Sequence, residues 1–339
     1  MFRENLNRII RRTDLSDIQM NQMISDILNG TIPDTQIAAF MAALATKGET
    51  HEELAGAAQA MRKHAVRIHC NASTVIDTCG TGGDGMNTFN ISTTAAFVVA
   101  GCGVTVAKHG NRSVSSKCGS ADVLEGMGVN LDTDPEIVEE AIEEIGIGFL
   151  FAPKYHGAMR YAAKARKESG IRSIFNMLGP LSNPAAANCQ LLGVYAPELT
   201  EMFANALKRL GTKRAFVVHG HDGLDEISVC APTRISELNN GIIKTYDIKP
   251  EDFFGETADS DDIIGGDVNT NIAITQAILS GQEKGSKRNV VLINSAAALM
   301  AAGKADTLKL GIAQAEESID SGRALEKLNA LAAYTRDNG

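Results

Sequence analysis

The stretch Asp77-Thr78-Cys79-Gly80-Thr81-Gly82-Gly83-Asp84-Gly85, followed closely by Asn87 to Thr94, carries the first residues able to do chemistry. Four glycines bracket an aspartate just after the apolar pair Val75-Ile76, and a helical run follows from Ala95. Glycines let backbone N–H groups approach an anion, and a helix start adds unpaired donors and partial positive charge. Ser92 stands where it could cap the helix Ala95 to Ala100. The spacing is not G-x-G-x-x-G and no G-K-[ST] follows, so Rossmann and Walker patterns are excluded. A plain tight turn is the bland alternative. The clustered glycines and hydroxyls weigh against it.

A second stretch, Lys108-His109-Gly110-Asn111-Arg112-Ser113-Val114-Ser115-Ser116-Lys117-Cys118-Gly119-Ser120, follows the apolar run Val104 to Val106. Lysine supplies point charge, arginine a planar fork, and serines complete a shell around a polyanion. The two loops together suggest a substrate with two phosphate groups. Asp225-Glu226, after the run Phe216 to Val218, suits Mg²⁺ held through oxygens, and Asp84 and Ser92 could add further oxygens. Read alone, such an acidic pair is as readily a solvated loop. His219 and His221 lack a third zinc ligand nearby.

Asn176-Met177-Leu178-Gly179-Pro180-Leu181-Ser182-Asn183-Pro184 is a rigid turn, either a connector or part of a ligand site. His156 lies ten residues before Arg166, close to three helical turns, on an expected helix from Ala158 to Glu168. An arginine suits a carboxylate there, although a surface helix with scattered cations fits as well.

Two kinds of element must position these residues. The first seventy residues read as helices: Met20, Met23, Ile24, Ile27 and Leu28 behind a Ser16 cap, with Gly30 as stop; then Ile37, Phe40, Met41 and Leu44 up to Gly48; then a Thr50/Glu53 capping box leading into Leu54, Ala57, Ala58 and Met61. From Thr74 onward short apolar runs alternate with helical segments. Val75-Ile76, Val104 to Val106, Phe149 to Phe151, Leu191 to Tyr195, Ala215 to Val218 and Val290 to Ile293 are expected strands of a largely parallel sheet covered by helices. The chemistry-bearing loops then sit at the carboxyl ends of strands, where α/β sheets bind ligands. The fold class expected is α/β, with a small all-helical domain and a larger α/β domain.

The 339 residues carry 32 basic and 41 acidic side chains, a net charge of −9, which argues against a general nucleic-acid binder. It also requires local cations or metal wherever a polyanion binds. Six cysteines without CxxC spacing suggest free thiols in a reducing compartment. No signal peptide and no membrane-length apolar run are seen, so the expectation is a cytoplasmic protein without membrane contact.

The runs G-T-G-G-D at Gly80 to Asp84, N-I-S-T at Asn90 to Thr93, K-H-G-N-R at Lys108 to Arg112, and N-x-x-G-P-L-x-N-P at Asn176 to Pro184 resemble the anthranilate phosphoribosyltransferase family. The likeness runs through nearly the whole chain, in order, and has no fused glutamine amidotransferase segment, as in a stand-alone form. It implies a helical domain over residues 1–70, joined by helices within about 156–184, and a large α/β domain over 71–155 and 185–339. It also implies a homodimer in tryptophan biosynthesis. Phosphoribosyl pyrophosphate (PRPP) would be held by Gly80, Gly83, Asp84, Thr88, Asn90, Ile91, Ser92, Thr93, Lys108, His109, Gly110, Asn111, Arg112, Ser113, Val114, Ser115, Ser116 and Ser120. Mg²⁺, as two ions, would bind at Ser92, Asp225 and Glu226. Anthranilate would meet Asn111 and Arg166, with His109, Ala152 and His156 lining its approach. Lys108, Arg166 and Asn111 would carry catalysis, Lys108 by stabilising departing pyrophosphate. A pyrimidine nucleoside phosphorylase is the related alternative, expected to be longer. Non-enzymatic nucleic-acid-binding relatives should be basic.

Overall fold

The computed structural model describes residues 1–113 and 118–339. The expected substrate contacts Val114, Ser115 and Ser116 lie outside the described residues.

Four helices open the chain: α1 (Phe2–Ile10), α2 (Asp17–Leu28), α3 (Asp34–Lys47) and α4 (His51–His64). α1 was not read from the sequence, although Phe2, Leu6 and Ile9 are buried at helical spacing. Ser16 and Thr50 cap α2 and α4 through reciprocal bonds with Gln19 and Glu53. Glu53 does more than cap. It is fully buried, accepts the Leu15 N–H at 2.9 Å, and receives the Lys47 ammonium at 2.9 Å. One carboxylate thus joins the chain before α2, the end of α3 and the start of α4. Gly56 lets α2 and α4 touch, since a Cβ there would sit 2.1 Å from the Asp17 carbonyl oxygen.

These helices share one apolar core with Ala162, Ala165, Ile174, Phe175, Leu178 and Leu181 from much later in the chain. The same core continues through Phe203 and Leu207 to Leu192 and Val217 on one face of a seven-stranded sheet. The strands are β1 (Val75–Gly80), β2 (Thr105–Gly110), β3 (Ile147–Phe151), β4 (Cys189–Gly193), β5 (Arg214–Gly220), β6 (Thr233–Asn239) and β7 (Ile242–Ile248), in the order β3-β2-β1-β4-β5-β6-β7. β1 to β5 run parallel, and β6 and β7 return antiparallel. The second face is covered by the helices Ile91–Gly101, Ser286–Ala301, Leu308–Asp320 and Arg323–Asn338.

The chain winds outward from β1 to β3, then returns to place β4 on the other side of β1. That reversal opens a crevice at the carboxyl ends of β1 and β4, the usual ligand position in such sheets.

Two sequence expectations are corrected, and one element was not foreseen. Val290 to Ile293 is not a strand but the middle of a helix buried on every side, which erases the periodicity that separates helix from strand. The β6–β7 hairpin went unread, although its Asn240-Gly241 turn has both residues at positive φ (46° and 82°), as a two-residue hairpin demands. The helix expected from Ala158 to Glu168 is a 3₁₀ turn, Gly157–Met159, followed by the α-helix Arg160–Ser169. His156 lies before both, so the three-turn argument linking it to Arg166 does not hold. All six cysteines are free thiols. No helix among the described residues is long and apolar enough to cross a membrane.

Candidate active site

The glycine loop leaves β1 at Gly80 and turns through Gly82, Gly83 and Gly85, all at positive φ (65°, 78° and 77°) that side chains resist. The Gly82 N–H donates to Asp225 Oδ2 at 2.8 Å, a contact between residues 143 apart in the chain. Arg172, which sequence reasoning passed over, clamps the loop from outside. Its Nη2 donates to the Gly83 carbonyl at 3.0 Å while its guanidinium lies 4.0 Å from the Tyr195 ring centre. Thr88 forms an isolated bridge with Ile264 beyond the loop. The Thr81 hydroxyl is buried without a partner among the described residues.

The helix Ile91–Gly101 starts earlier than expected, with Asn90 at its cap position and Ser92 in its first turn. Ser92 is therefore not the cap. Its N–H instead donates to Glu226 Oε1 at 3.2 Å, and its carbonyl accepts from Thr78 Oγ1 at 3.0 Å. Asn90 is held between the Cys118 carbonyl and Asn271. Ile91 and Thr93 are buried beneath.

Asp225 and Glu226 are therefore drawn to the end of β1, with Asp84 beside Asp225. Burial pushes Asp225 up to about 7, with Asp84 raising it further. Burial likewise pushes Glu226 up to about 8, with Asp225 adding to the rise and Lys108 opposing it. Carboxylates forced together out of water hold protons or demand a cation. Their position depends on two glycines. A Cβ on Gly80 would lie 2.5 Å from Asp225 Oδ2, and one on Gly193 would lie 1.5 Å from the Asp225 carbonyl oxygen. From the other side Asn294, fully buried on the helix Ser286–Ala301, bonds both the N–H and the carbonyl of Ile227 at 2.9 Å.

Lys108 stands below this cluster on β2, only 3% exposed. Its ammonium donates to the Thr78 carbonyl at 2.5 Å; burial lowers its pKa, and Asp77, Cys79 and Glu226 raise it. It is part of the floor rather than a free surface cation. Beside it, buried Asp77 accepts the His109 N–H at 3.1 Å and Asn183 Nδ2 at 2.8 Å. Asn183 also donates to the Ala107 carbonyl at 2.8 Å, so the asparagine of the N-x-x-G-P-L-x-N-P run anchors the neighbouring strand.

Beyond Gly110, the described cation of the expected polyanion loop, Arg112, lies against acidic side chains of this chain. Arg112 meets Asp122 at 2.9 Å and Glu125 at 2.8 Å, with its guanidinium 5.6 Å from the Phe151 ring. Its charge is engaged within the protein. Asn111 is exposed, its Oδ1 accepting the Arg112 N–H and its carbonyl accepting Ser120 Oγ at 3.2 Å. The Ser113 N–H donates to Asp122.

A separate group lies at the end of β3, where Ala152 begins a short helix. His109 Nδ1 donates to the Gly179 carbonyl at 3.1 Å, which leaves its Nε2 as an acceptor for His156 Nε2–H at 3.2 Å. Burial, and for His109 the neighbouring His156, push the two imidazoles down to about 3 and about 4, so both are neutral. Arg166 is half-buried over the Phe175 ring at 5.7 Å and pairs with no carboxylate among the described residues.

Residues 3–65 match the helical bundle domain of a glycosyl transferase family, and residues 72–325 match that family's α/β domain. The anthranilate phosphoribosyltransferase of Desulfosudis oleivorans is 66% identical over 339 residues, covering 100% of both chains. That of Syntrophobacter fumaroxidans is 63% identical over 338 residues, again covering 100% of both. Among solved structures, the Thermus thermophilus enzyme superposes with a TM-score of 0.93 at 41% identity, over 98% of this chain and 99% of that one. The Saccharomyces cerevisiae enzyme, in complex with PRPP and Mg, gives 0.89 at 29% identity over 98% of each. The carboxylate-lined crevice and the paired domains thus sit in a chain that belongs to the anthranilate phosphoribosyltransferases.

Proposed function

We propose that the crevice at the ends of β1 and β4 is where this phosphoribosyltransferase binds PRPP and transfers its phosphoribosyl group to the amine of anthranilate, releasing pyrophosphate. The observation that carries the reading is the convergence of the glycine loop, the helix start at Ile91 and the Asp225-Glu226 pair above Lys108. Gly80, Gly83, Asp84, Thr88, Asn90, Ile91, Ser92 and Thr93 offer donors to the diphosphate, and Gly110, Asn111, Arg112, Ser113 and Ser120 would meet it from the second side.

The donor set is all oxygen and fits a hard cation. Asp225 and Glu226, with Ser92 and Asp84 at hand, would hold Mg²⁺, which when bound would neutralise charge on the pyrophosphate. Among the described residues no three acidic, histidine or cysteine side chains converge on one metal position. The remaining ligands are then phosphate oxygens and water, as Mg²⁺ ordinarily prefers. Lys108 lies under the loop where negative charge would grow as pyrophosphate departs, and its ammonium would stabilise that charge.

An aromatic amine is already neutral at pH 7, so nucleophilic attack needs alignment rather than a strong base. Arg166, which pairs with no carboxylate among the described residues, takes the anthranilate carboxylate, and Asn111 contacts the same substrate. The neutral His109–His156 pair and Ala152 line the approach. Positioning and electrostatics supply most of the catalysis.

The helical domain comprises residues 1–70 with the segment 156–184 added, as their shared core supports. The larger unit takes 71–155 and 185–339. The protein works in the cytoplasm as a homodimer. Calorimetric titration of PRPP with Mg²⁺ should give saturable heat that disappears in Asp225→Asn/Glu226→Gln. Equal heat in both proteins would remove the pair from the site.

A further inference from the structure

A second cleft, of about 530 Å³, opens on the side of the molecule where α4 leads into β1. Arg62, Lys63, Arg67, His69 and Arg209 line it together with Asn183, and no carboxylate does so among the described residues. Arg209 is engaged with Asp17 and Glu52. Arg62, Lys63 and Arg67 pair with no acid among the described residues, so their charge is available to an anionic ligand. Arg62 is the most telling of the three. Its Nε donates to the Leu181 carbonyl at 2.7 Å, which fixes the guanidinium plane and leaves both terminal nitrogens for something else. Burial lowers its pKa to about 10, so the enclosed cation lacks a counter-charge.

The location adds a second argument. The cleft spans the links between the two apolar cores: residues 65–70 lead from α4 into the sheet, and Asn183 to Ala186 lead back to β4. These links bond each other, with the Ile68 N–H donating to the Pro184 carbonyl at 3.2 Å and the Val66 N–H donating to the Tyr155 carbonyl at 2.9 Å. Asn183 reaches from the cleft wall to Asp77 and Ala107, next to Lys108 and His109.

We infer that this cleft is a binding site for a phosphate-bearing small molecule, separate from the PRPP crevice and poised across the junction of the helical and α/β units. Two guanidinium forks and an ammonium match phosphate oxygens, which accept such donors in pairs. The volume falls in the range of small-metabolite pockets, roughly 300–1,000 Å³. A ligand here would tie α4 to the Asn183 link and so bias the setting of one unit against the other.

The test uses the full-length chain, inorganic phosphate as probe and sodium chloride at matched ionic strength as control. Lys63 and Arg67 are exposed, so Lys63→Glu/Arg67→Glu should keep its fold, which circular dichroism checks. Phosphate affinity in calorimetry should fall at least about tenfold in that variant, the weight of one charge-assisted hydrogen bond. The affinity for PRPP with Mg²⁺ should stay within about twofold, since those charges lie outside the crevice. In the wild type, the Arg62 Nε–H resonance should move on adding phosphate. Three results would overturn the proposal: no phosphate heat beyond the chloride control, equal phosphate affinity in both proteins, or a parallel loss of PRPP binding.

Discussion

Replacing Gly193 by alanine would put a methyl group where the backbone of Asp225 now runs. The added Cβ falls 1.5 Å from the Asp225 carbonyl oxygen and 2.5 Å from its carbonyl carbon. A tolerable carbon–oxygen contact is about 3.3 Å, so the loop must retreat by roughly 1.8 Å. Gly193 is paired with Gly80 on one side and Val218 on the other, and cannot move instead. The retreat breaks the 2.8 Å bond from the Gly82 N–H to Asp225 Oδ2 and shifts the Asp225-Glu226 pair away from the glycine loop. Overpacking of this kind costs about 1–3 kcal/mol, and the lost hydrogen bond about 1 more, so urea unfolding should show a loss of roughly 2–4 kcal/mol. Mg²⁺ tolerates little distortion of its oxygens, so PRPP affinity in calorimetry should fall by at least about tenfold. Gly157→Ala serves as control, because its Cβ would meet nothing within 4 Å. Wild-type stability and PRPP affinity in Gly193→Ala would refute the packing argument. A stability loss with unchanged PRPP affinity would show that the position of Asp225 does not matter to binding.

Arg166→Ala should raise the KM for anthranilate about 10- to 100-fold, the worth of a charge-assisted bond, with the KM for PRPP nearly unchanged; equal effects on both would take Arg166 out of its role. His109 and His156 are neutral bases whose folded pKa values, about 3 and about 4, lie below the ordinary 6.5. The unfolded chain therefore binds more protons, and stability drains away as pH falls from about 6.5 toward 4, by roughly 2 kcal/mol per imidazole between pH 7 and pH 5. Urea unfolding at the two pH values should show a smaller difference in His156→Gln than in the wild type, and identical differences would contradict the buried neutral pair. Asp225→Asn should raise the melting temperature of the metal-free protein, by relieving repulsion from Asp84, yet remove the stabilisation that Mg²⁺ with PRPP gives the wild type. A metal-free melting point below that of the wild type would count against carboxylate crowding.

Much of the molecule is readable in one dimension because local chemistry decides it. The Thr50/Glu53 cap, the Gly30 and Gly48 stops, and the turn after β1 follow from residues three or four apart, where side chain and backbone meet without help from the rest of the chain. The motif runs also pointed to the family, since their residue types are those a diphosphate sugar requires. What could not be read depends on partners far away. The Gly82–Asp225 bond, the need for glycine at 193 and the hold of Asn294 on Ile227 each join segments with no neighbouring signal. The sequence offers Arg112 as a phosphate ligand but does not show that Asp122 and Glu125 lie beside it, and Arg172, passed over in the sequence, is brought by the fold against Gly83 and Tyr195. Burial decides the remainder. Val290 to Ile293 gave a strand-like run because a helix enclosed on all sides has no polar face to betray its period. Residue types declare what chemistry is possible; only the packed chain settles which charges face water, which face each other, and which are left for a ligand.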